Sequence, residues 1–358
     1  MRHYTILALA ALLLGSSLSS FAVDVHIGGY VQGRYDDIAG GPDTNNDTKY
    51  SNDKNATQTF SLRRARINAT ATLTKNASAV IEIDTTKGVS DTLMYVNYGL
   101  PQVNFSLGRK RDPFNYELSQ SSSTLTTLER SVISQHIAPE YATGLYISPD
   151  KSIVPFPVTL AFLNVYGDNS SSTWVKNGVP QSALYSTDDT HHKLALLTAE
   201  TPDFYGAHIG GTYTTDGALI HAYNAYARGT MGPASLQAEY MHSKNLDENG
   251  ITQNSSDSSL LHTPKDAVNR GYYILGSYAV TSNLTGYARY DDATVTSTSD
   301  ATYLAKPVHD ATIGANLMLA DGAKWTVEYS YIHDRNNPSK TGIYPLHDGL
   351  ATQLQIKF

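Results

Sequence analysis

Residues 60–73, FSLRRARINATATL, hold three arginines in a run that otherwise reads as β-strand. Guanidiniums suit one kind of chemistry. They stay charged at physiological pH and offer a planar fork to carboxylate or phosphate, with no covalent bond made or broken. Side chains alternate along an extended chain, so Arg64, Arg66, Asn68, Thr70 and Thr72 share a polar, cationic face and Ala65, Ile67, Ala69, Ala71 and Leu73 an apolar one. A half-buried soluble strand alternates in the same way. The rest of the chain must say what lies on each side.

Other reactive residue types lead to no enzyme. The 12 histidines are scattered, and the pair His191-His192 would open a strand, where neighbours point apart and do not chelate one metal. No GxSxG, HExxH, Walker loop or GxGxxG stands in a fitting context. The absence of cysteine removes thiol nucleophiles, Cys-ligated zinc and a disulfide framework. GGPDTNNDTKYSNDKN, residues 40–55, has the oxygen-rich composition of a calcium or lipopolysaccharide-bridging site, with simple solvation as the plainer account. Nothing in the chain asks for a cofactor or a nucleic-acid partner.

The N-terminus reads as a secretory leader: Arg2 and His3, an apolar run from Ile6 to Leu14, then Ser20-Phe21-Ala22 in the small-x-small cleavage pattern. Two segments are therefore expected, a signal peptide over 1–22 and a mature unit over 23–358. One arginine and no acid leave with the leader, taking the formal charge from -7 to -8. Mean hydropathy is -0.31, and 25 tyrosines outnumber 8 phenylalanines and 2 tryptophans. Tyrosine suits a wet apolar boundary.

Short alternating runs bounded by Gly, Asn, Asp, Ser and Pro predict strands at 24–37, 58–74, 78–86, 92–100, 103–110, 142–148, 157–167, 190–200, 206–215, 219–229, 234–244, 268–280, 284–292, 309–319, 323–334 and 348–358. That makes about sixteen, and an even number lets an antiparallel sheet close on itself. Connections after even-numbered strands are mostly brief (TKNA, PQ, MGP, DGA), while those after odd-numbered strands include 38–57, 111–141, 168–189, 245–267, 293–308 and 335–347. Short turns at one end and long loops at the other are the architecture of transmembrane barrels, with the turns in the periplasm.

The faces agree. Ala311, Ile313, Ala315, Leu317 and Leu319 lie opposite Thr312 and Asn316, and Trp325, Val327, Tyr329 and Tyr331 lie opposite Lys324, Thr326, Glu328 and Ser330. A polar face of this kind needs water, because an unpaired charge in a dry core is costly. About sixteen strands is also wide enough to leave an aqueous interior. The last run, ATQLQIKF, puts Leu354, Ile356 and Phe358 on the lipid side. The fold class is all-β, a transmembrane antiparallel β-barrel of about sixteen strands.

IGGYVQGRY in the first strand, FSLRRARI in the second, LGRKRDPFNYELSQSS leaving the fifth and LERSV beyond it resemble the phosphate-selective porin O and P family of Gram-negative bacteria. The likeness is closest over 24–148. It implies a sixteen-stranded outer-membrane channel, usually trimeric, with its third loop (here 111–141) folded into the pore and basic residues guiding anions. Implied partners are outer-membrane lipid and lipopolysaccharide, small anions or other small hydrophilic solutes, and two further copies of the chain.

Height along the strands places the cations. Counted up from the turn at 75–77, Arg66 and Arg64 reach the level that Arg34 reaches on the first strand and Lys110 on the fifth. Four cations at mid-channel would focus a positive field on passing ions. Arg63 has the opposite parity and is expected to snorkel at the outer lipid interface. Glu82 and Asp84 on the third strand are expected counter-charges, with Asp84 diagonal to Arg66, so a charge-balanced wall stands as the alternative to an anion filter. Later strands carry both signs: Lys193, Arg228, Arg289 and Lys324 against Glu239, Asp291 and Glu328.

In SSSTLTTLERSV, Leu125, Leu128 and Val132 recur at helical intervals after a run of Ser/Thr caps. A short helix inside the barrel would bring Glu129 and Arg130 to the constriction; an external helix with solvated charges is the alternative. The function expected is passive diffusion of small hydrophilic solutes with anion preference. A weakly selective channel and a barrel for surface display or envelope anchoring remain as alternatives, and the missing Ser/His constellation argues against a barrel hydrolase.

Overall fold

In a computed structural model of the chain, residues 23–38, 57–86, 90–137, 140–164, 174–176, 179–181, 193–217, 220–244, 268–296, 306–333 and 349–358 are described. The expected leader and the candidate calcium stretch 40–55 lie outside these residues.

Sixteen strands close into one antiparallel barrel. They are β1 (Asp24–Ile38), β2 (Thr57–Thr74), β3 (Ala77–Asp84), β4 (Ser90–Gly99), β5 (Val103–Arg111), β6 (Tyr141–Pro149) and β7 (Val158–Asn164), then β10 (Lys193–Glu200), β11 (Ala207–Thr215), β12 (His221–Met231), β13 (Ala234–Lys244), β14 (Val268–Ala279), β15 (Leu284–Thr296), β16 (Lys306–Ala320), β17 (Ala323–His333) and β18 (Gly349–Lys357). A small hairpin, β8 (Trp174–Lys176) with β9 (Val179–Gln181), lies in the connection between β7 and β10. Each barrel strand pairs with its neighbour in sequence and β18 returns to β1. At that seam Gly29 N–H donates to the Phe358 carbonyl at 2.9 Å, and Phe358 N–H donates to the Gly29 carbonyl at 3.0 Å.

All sixteen expected strands are present. β15 runs to Thr296 rather than 292, because Ala293 and Val295 keep the alternation and find partners in Val308 and Lys306 of β16. Turns at one end are tight, as at 75–76, 232–233 and 321–322, and the long segment 112–140 leaves from the other. Gly322 turns at φ 78°, where a Cβ would strike the Lys357 carbonyl, so the β16–β17 turn requires glycine.

Apolar and polar positions are the reverse of a soluble core. Ile27, Leu62, Ile67, Val96, Leu107, Ile209, Leu236 and Ile313 are exposed, while Gln32, Arg64, Arg66, Glu82, Asn224, Glu239, Arg289 and Gln355 are buried. That inversion is what lipid outside and a polar lumen inside demand. The inner wall is itself divided. From β6 to β15 it includes Tyr146, Leu163, Leu196, Met241, Tyr273 and Leu275, and these pack on Phe114, Leu118, Val132 and Ile133 of segment 112–140. The segment therefore lies inside the barrel, with Phe114, Leu118, Val132 and Ile133 against that half of the wall.

Candidate functional site

Segment 112–140 is held by hydrogen bonds from strands around most of the barrel. Thr198 and Thr212 donate to the Pro113 carbonyl, Asn224 donates to that of Phe114, and Glu239 accepts from Tyr116 N–H at 2.8 Å. On the opposite wall Lys324 Nζ donates to the Leu125 carbonyl at 2.8 Å, Asn316 to that of Thr126 at 2.7 Å, and Gln355 to that of Ser123 at 3.1 Å. Leu128 N–H donates to Glu328 at 2.9 Å. These bonds explain a correction. The helix expected through Leu125, Leu128 and Val132 does not form as one piece: short helices cover Tyr116–Ser119, capped by Asn115, and Val132–Ile137, and residues between them are not helical. Wall side chains take the backbone groups that a helix would have paired internally.

The arginine row is built by an irregularity in β2. Gln32 pairs with Arg64 and Gly33 with Leu62, so Arg63 is an extra residue in a β-bulge. Leu62 faces outward, and both Arg63 and Arg64 reach Glu129 inside the barrel. Arg63 is thus not the lipid-interface residue that strict alternation predicts. One bulged residue restores its side chain to the lumen. The clue in the sequence was Gly33 within the facing strand, a common companion of a bulge.

Three guanidiniums converge on the single Glu129 carboxylate. Arg63 is bidentate, Nε to Oε1 at 2.6 Å and Nη2 to Oε2 at 2.9 Å; Arg34 Nη1 meets Oε1 at 2.6 Å and Arg64 Nη2 meets Oε2 at 3.4 Å. Arg34 also holds Asp36 at 2.6 Å, and Arg64 donates to Gln32 at 3.3 Å. Burial alone would raise the Glu129 pKa, but Arg63, Arg64 and Arg34 hold it well below the carboxylate range.

A second cluster lies alongside. Arg66 meets Asp84 at 3.0 Å and Glu82 at 3.5 Å, and Asp84 stands directly opposite Arg66 rather than diagonal to it, because a register shift follows Thr72. Glu140 takes Arg111 at 2.8 Å, Arg130 at 3.2 Å and Arg66 at 3.9 Å. Against the upward pull of burial, these arginines hold its carboxyl below the ordinary range as well. Arg130 is buried, and its other donors go to the carbonyls of Glu117 and Gln120 and to Ser122, so it braces the segment from within. Lys110 stands apart from the arginines. Its ammonium lies between the Tyr95 and Tyr146 rings, 4.9 and 5.0 Å from their centroids, and donates to Ser106.

Arg111, Glu140 and Glu117 belong to these networks although no role is expected of them from the sequence, and Arg63 joins them against its parity. Across the lumen Arg289 binds Asp291 at 2.7 Å, Thr127 Oγ1 at 2.9 Å and the Glu129 carbonyl at 2.7 Å. Glu117 accepts from Ser131 N–H and Oγ at 2.8 and 2.7 Å. Among the described residues no cluster of His, Asp and Glu is arranged to hold a metal ion.

Solved outer-membrane proteins share this architecture at low sequence identity. A Salmonella typhi OmpF in complex with daunomycin is 12% identical, covers 93% of this chain and 97% of its own, and superposes with a TM-score of 0.65. The trimer form of OmpT, an outer membrane protein of Vibrio cholerae, is 13% identical over 94% of this chain and 100% of its own, with a TM-score of 0.59. An anion-selective porin from Comamonas acidovorans is 13% identical over 94% and 100%, with a TM-score of 0.55. No curated protein sequence matches the chain. The profile described as "Phosphate-selective porin O and P" matches residues 40–358, nearly the whole length. The chain is an outer-membrane channel protein and belongs to the phosphate-selective porin O and P family.

Proposed function

We propose that the barrel passes small hydrophilic solutes by passive diffusion, with a modest preference for phosphate or other small anions, and that segment 111–141 forms the constriction. The observation that carries this reading is the charge where that segment meets β1, β2, β3 and β5. Arg34, Arg63, Arg64, Arg66, Arg111 and Arg130 face Asp36, Glu82, Asp84, Glu129 and Glu140, six guanidiniums against five carboxylates. Lys110 adds a cation with no carboxylate at ion-pair distance among the described residues. A narrow, low-dielectric passage focuses even a small excess of one sign. The chain would work as a homotrimer in outer-membrane lipid and lipopolysaccharide, exported by the leader 1–22. The trimer form of OmpT and the Comamonas porin named above lend this reading support by architecture only.

The decisive experiment is the reversal potential of the reconstituted channel in a potassium chloride gradient. Anion preference is the expected sign. The pairing of most of these arginines with acids favours a second reading, a nearly neutral and weakly selective wall, and a reversal potential at zero would select it. Cation preference would refute both.

A further inference from the structure

The three-arginine fork on β1 and β2 is filled by a residue of the protein itself. Arg34, Arg63 and Arg64 would repel one another if nothing anionic lay between them, and the bulge that turns Arg63 inward makes an occupant necessary. The occupant is a carboxylate held in the bidentate geometry that a guanidinium offers a small carboxylate solute.

The backbone and side chain of Glu129 are held unequally. Its carbonyl is fixed by Arg289 at 2.7 Å, and the neighbouring Leu128 N–H is fixed by Glu328 at 2.9 Å. The flanking Leu128 and Arg130 are 2% and 4% exposed, whereas the Glu129 side chain is 25% exposed. The Glu129 side chain thus keeps more contact with water than its anchored neighbours, and it can leave the fork by side-chain rotation while the segment stays in place.

We infer that Glu129 is a tethered counter-anion: its carboxylate occupies a solute site made by Arg34, Arg63 and Arg64, and a small carboxylate passing through the channel binds there by displacing it. The inference rests on the anion-preferring reading above and adds the ligand class and the competitor. A site occupied by its own tether nine times in ten is available to solute one time in ten, which weakens apparent affinity about tenfold.

The test is block of the potassium chloride current by succinate in the reconstituted channel, comparing wild type with Glu129→Gln. Wild type should be blocked, the substitution should lower the half-blocking concentration about tenfold, and Arg63→Gln in either background should weaken the block. Folding of each variant is checked by heat-modifiable migration, and Glu129→Asp, which keeps the charge on a shorter arm, should fall between wild type and Glu129→Gln. An unchanged or higher half-blocking concentration in folded Glu129→Gln overturns the tether. Inorganic phosphate is run in parallel, and tightening for phosphate alone overturns the carboxylate assignment. The zero-block reversal potential reports separately on anion preference, so failure of that reading is distinguishable from failure of this one.

Discussion

Arg63→Gln is the sharpest perturbation of the lumen, because strict strand alternation predicts no effect and the bulge predicts a large one. Its side chain is 24% exposed beside Glu129, so its charge acts on water inside the barrel. Removing one charge about 6 Å from an ion path changes the energy of a monovalent ion by about 0.7 kcal/mol in water, or about 0.4 kcal/mol with screening over about 10 Å at 0.1 M salt. Local anion concentration then falls about twofold and cation concentration rises about as much, so the anion-to-cation permeability ratio should drop about fourfold. At 1 M salt, with a Debye length of about 3 Å, the change should shrink to less than about 1.5-fold. Reversal potentials at both salt levels measure this directly. The chain has no cysteine, so Arg63→Cys, Arg64→Cys and Leu62→Cys can be compared with a water-soluble thiol reagent: the first two should react and alter conductance, and Leu62→Cys should not. A silent Arg63 beside a responsive Leu62 would refute the bulge and everything built on it.

Two further perturbations test the seam and the foot of the inner segment. Gly29→Ala would drive a Cβ into the Arg66 carbonyl and to 2.9 Å from the Phe358 ring, so the heat-modifiable barrel form should be lost; a normal barrel band would mean the β1–β18 seam is looser than described. Asp112 is buried, its pKa pushed up to about 7 by that burial although it accepts the Phe114 N–H. The native state therefore holds a proton that the unfolded chain releases near pH 4, and stability should fall as pH rises from about 4 to 7, by at most about 4 kcal/mol. Asp112→Asn should flatten that slope in guanidinium unfolding, and an unchanged slope would exclude Asp112 as its source. Glu129 and Glu140 contribute with the opposite sign: their depressed pKa values leave the ion pairs intact above about pH 4, and these are lost only as pH falls through the folded values.

The barrel was legible because lipid and water impose a period of two on every strand, and no other environment sorts turns and loops so cleanly by end. Parity placed Arg34, Arg64 and Arg66 inside, and it identified Glu82 and Asp84 as their neighbours. It failed at Arg63, since one inserted residue reverses every inference about the side on which a neighbour lies. The interior of 112–140 was harder to read. Helical spacing at Leu125, Leu128 and Val132 is a local signal, but the hydrogen bonds that override it come from β15, β16, β17 and β18, more than a hundred residues away. Lys110 has the right parity and lies near the right height, yet Tyr95 and Tyr146 sequester it away from the arginines. No strand pattern encodes that.

The distribution of charge between wall and segment decides where selectivity is set. Most of these arginines come from β1, β2 and β5, whereas the carboxylates that bind three of them at once, Glu129 and Glu140, belong to the inner segment. A wall carboxylate such as Asp84 answers one guanidinium across a fixed ladder, within the sheet itself. The Glu129 side chain is partly exposed and lies outside the sheet, so replacing it uncovers cations without breaking a pair within the sheet. Substitutions in the segment therefore tune the lumen field without disturbing pairs inside the sheet such as Arg66–Asp84. The same sixteen-stranded frame can then host different ion preferences according to which acids its third loop carries.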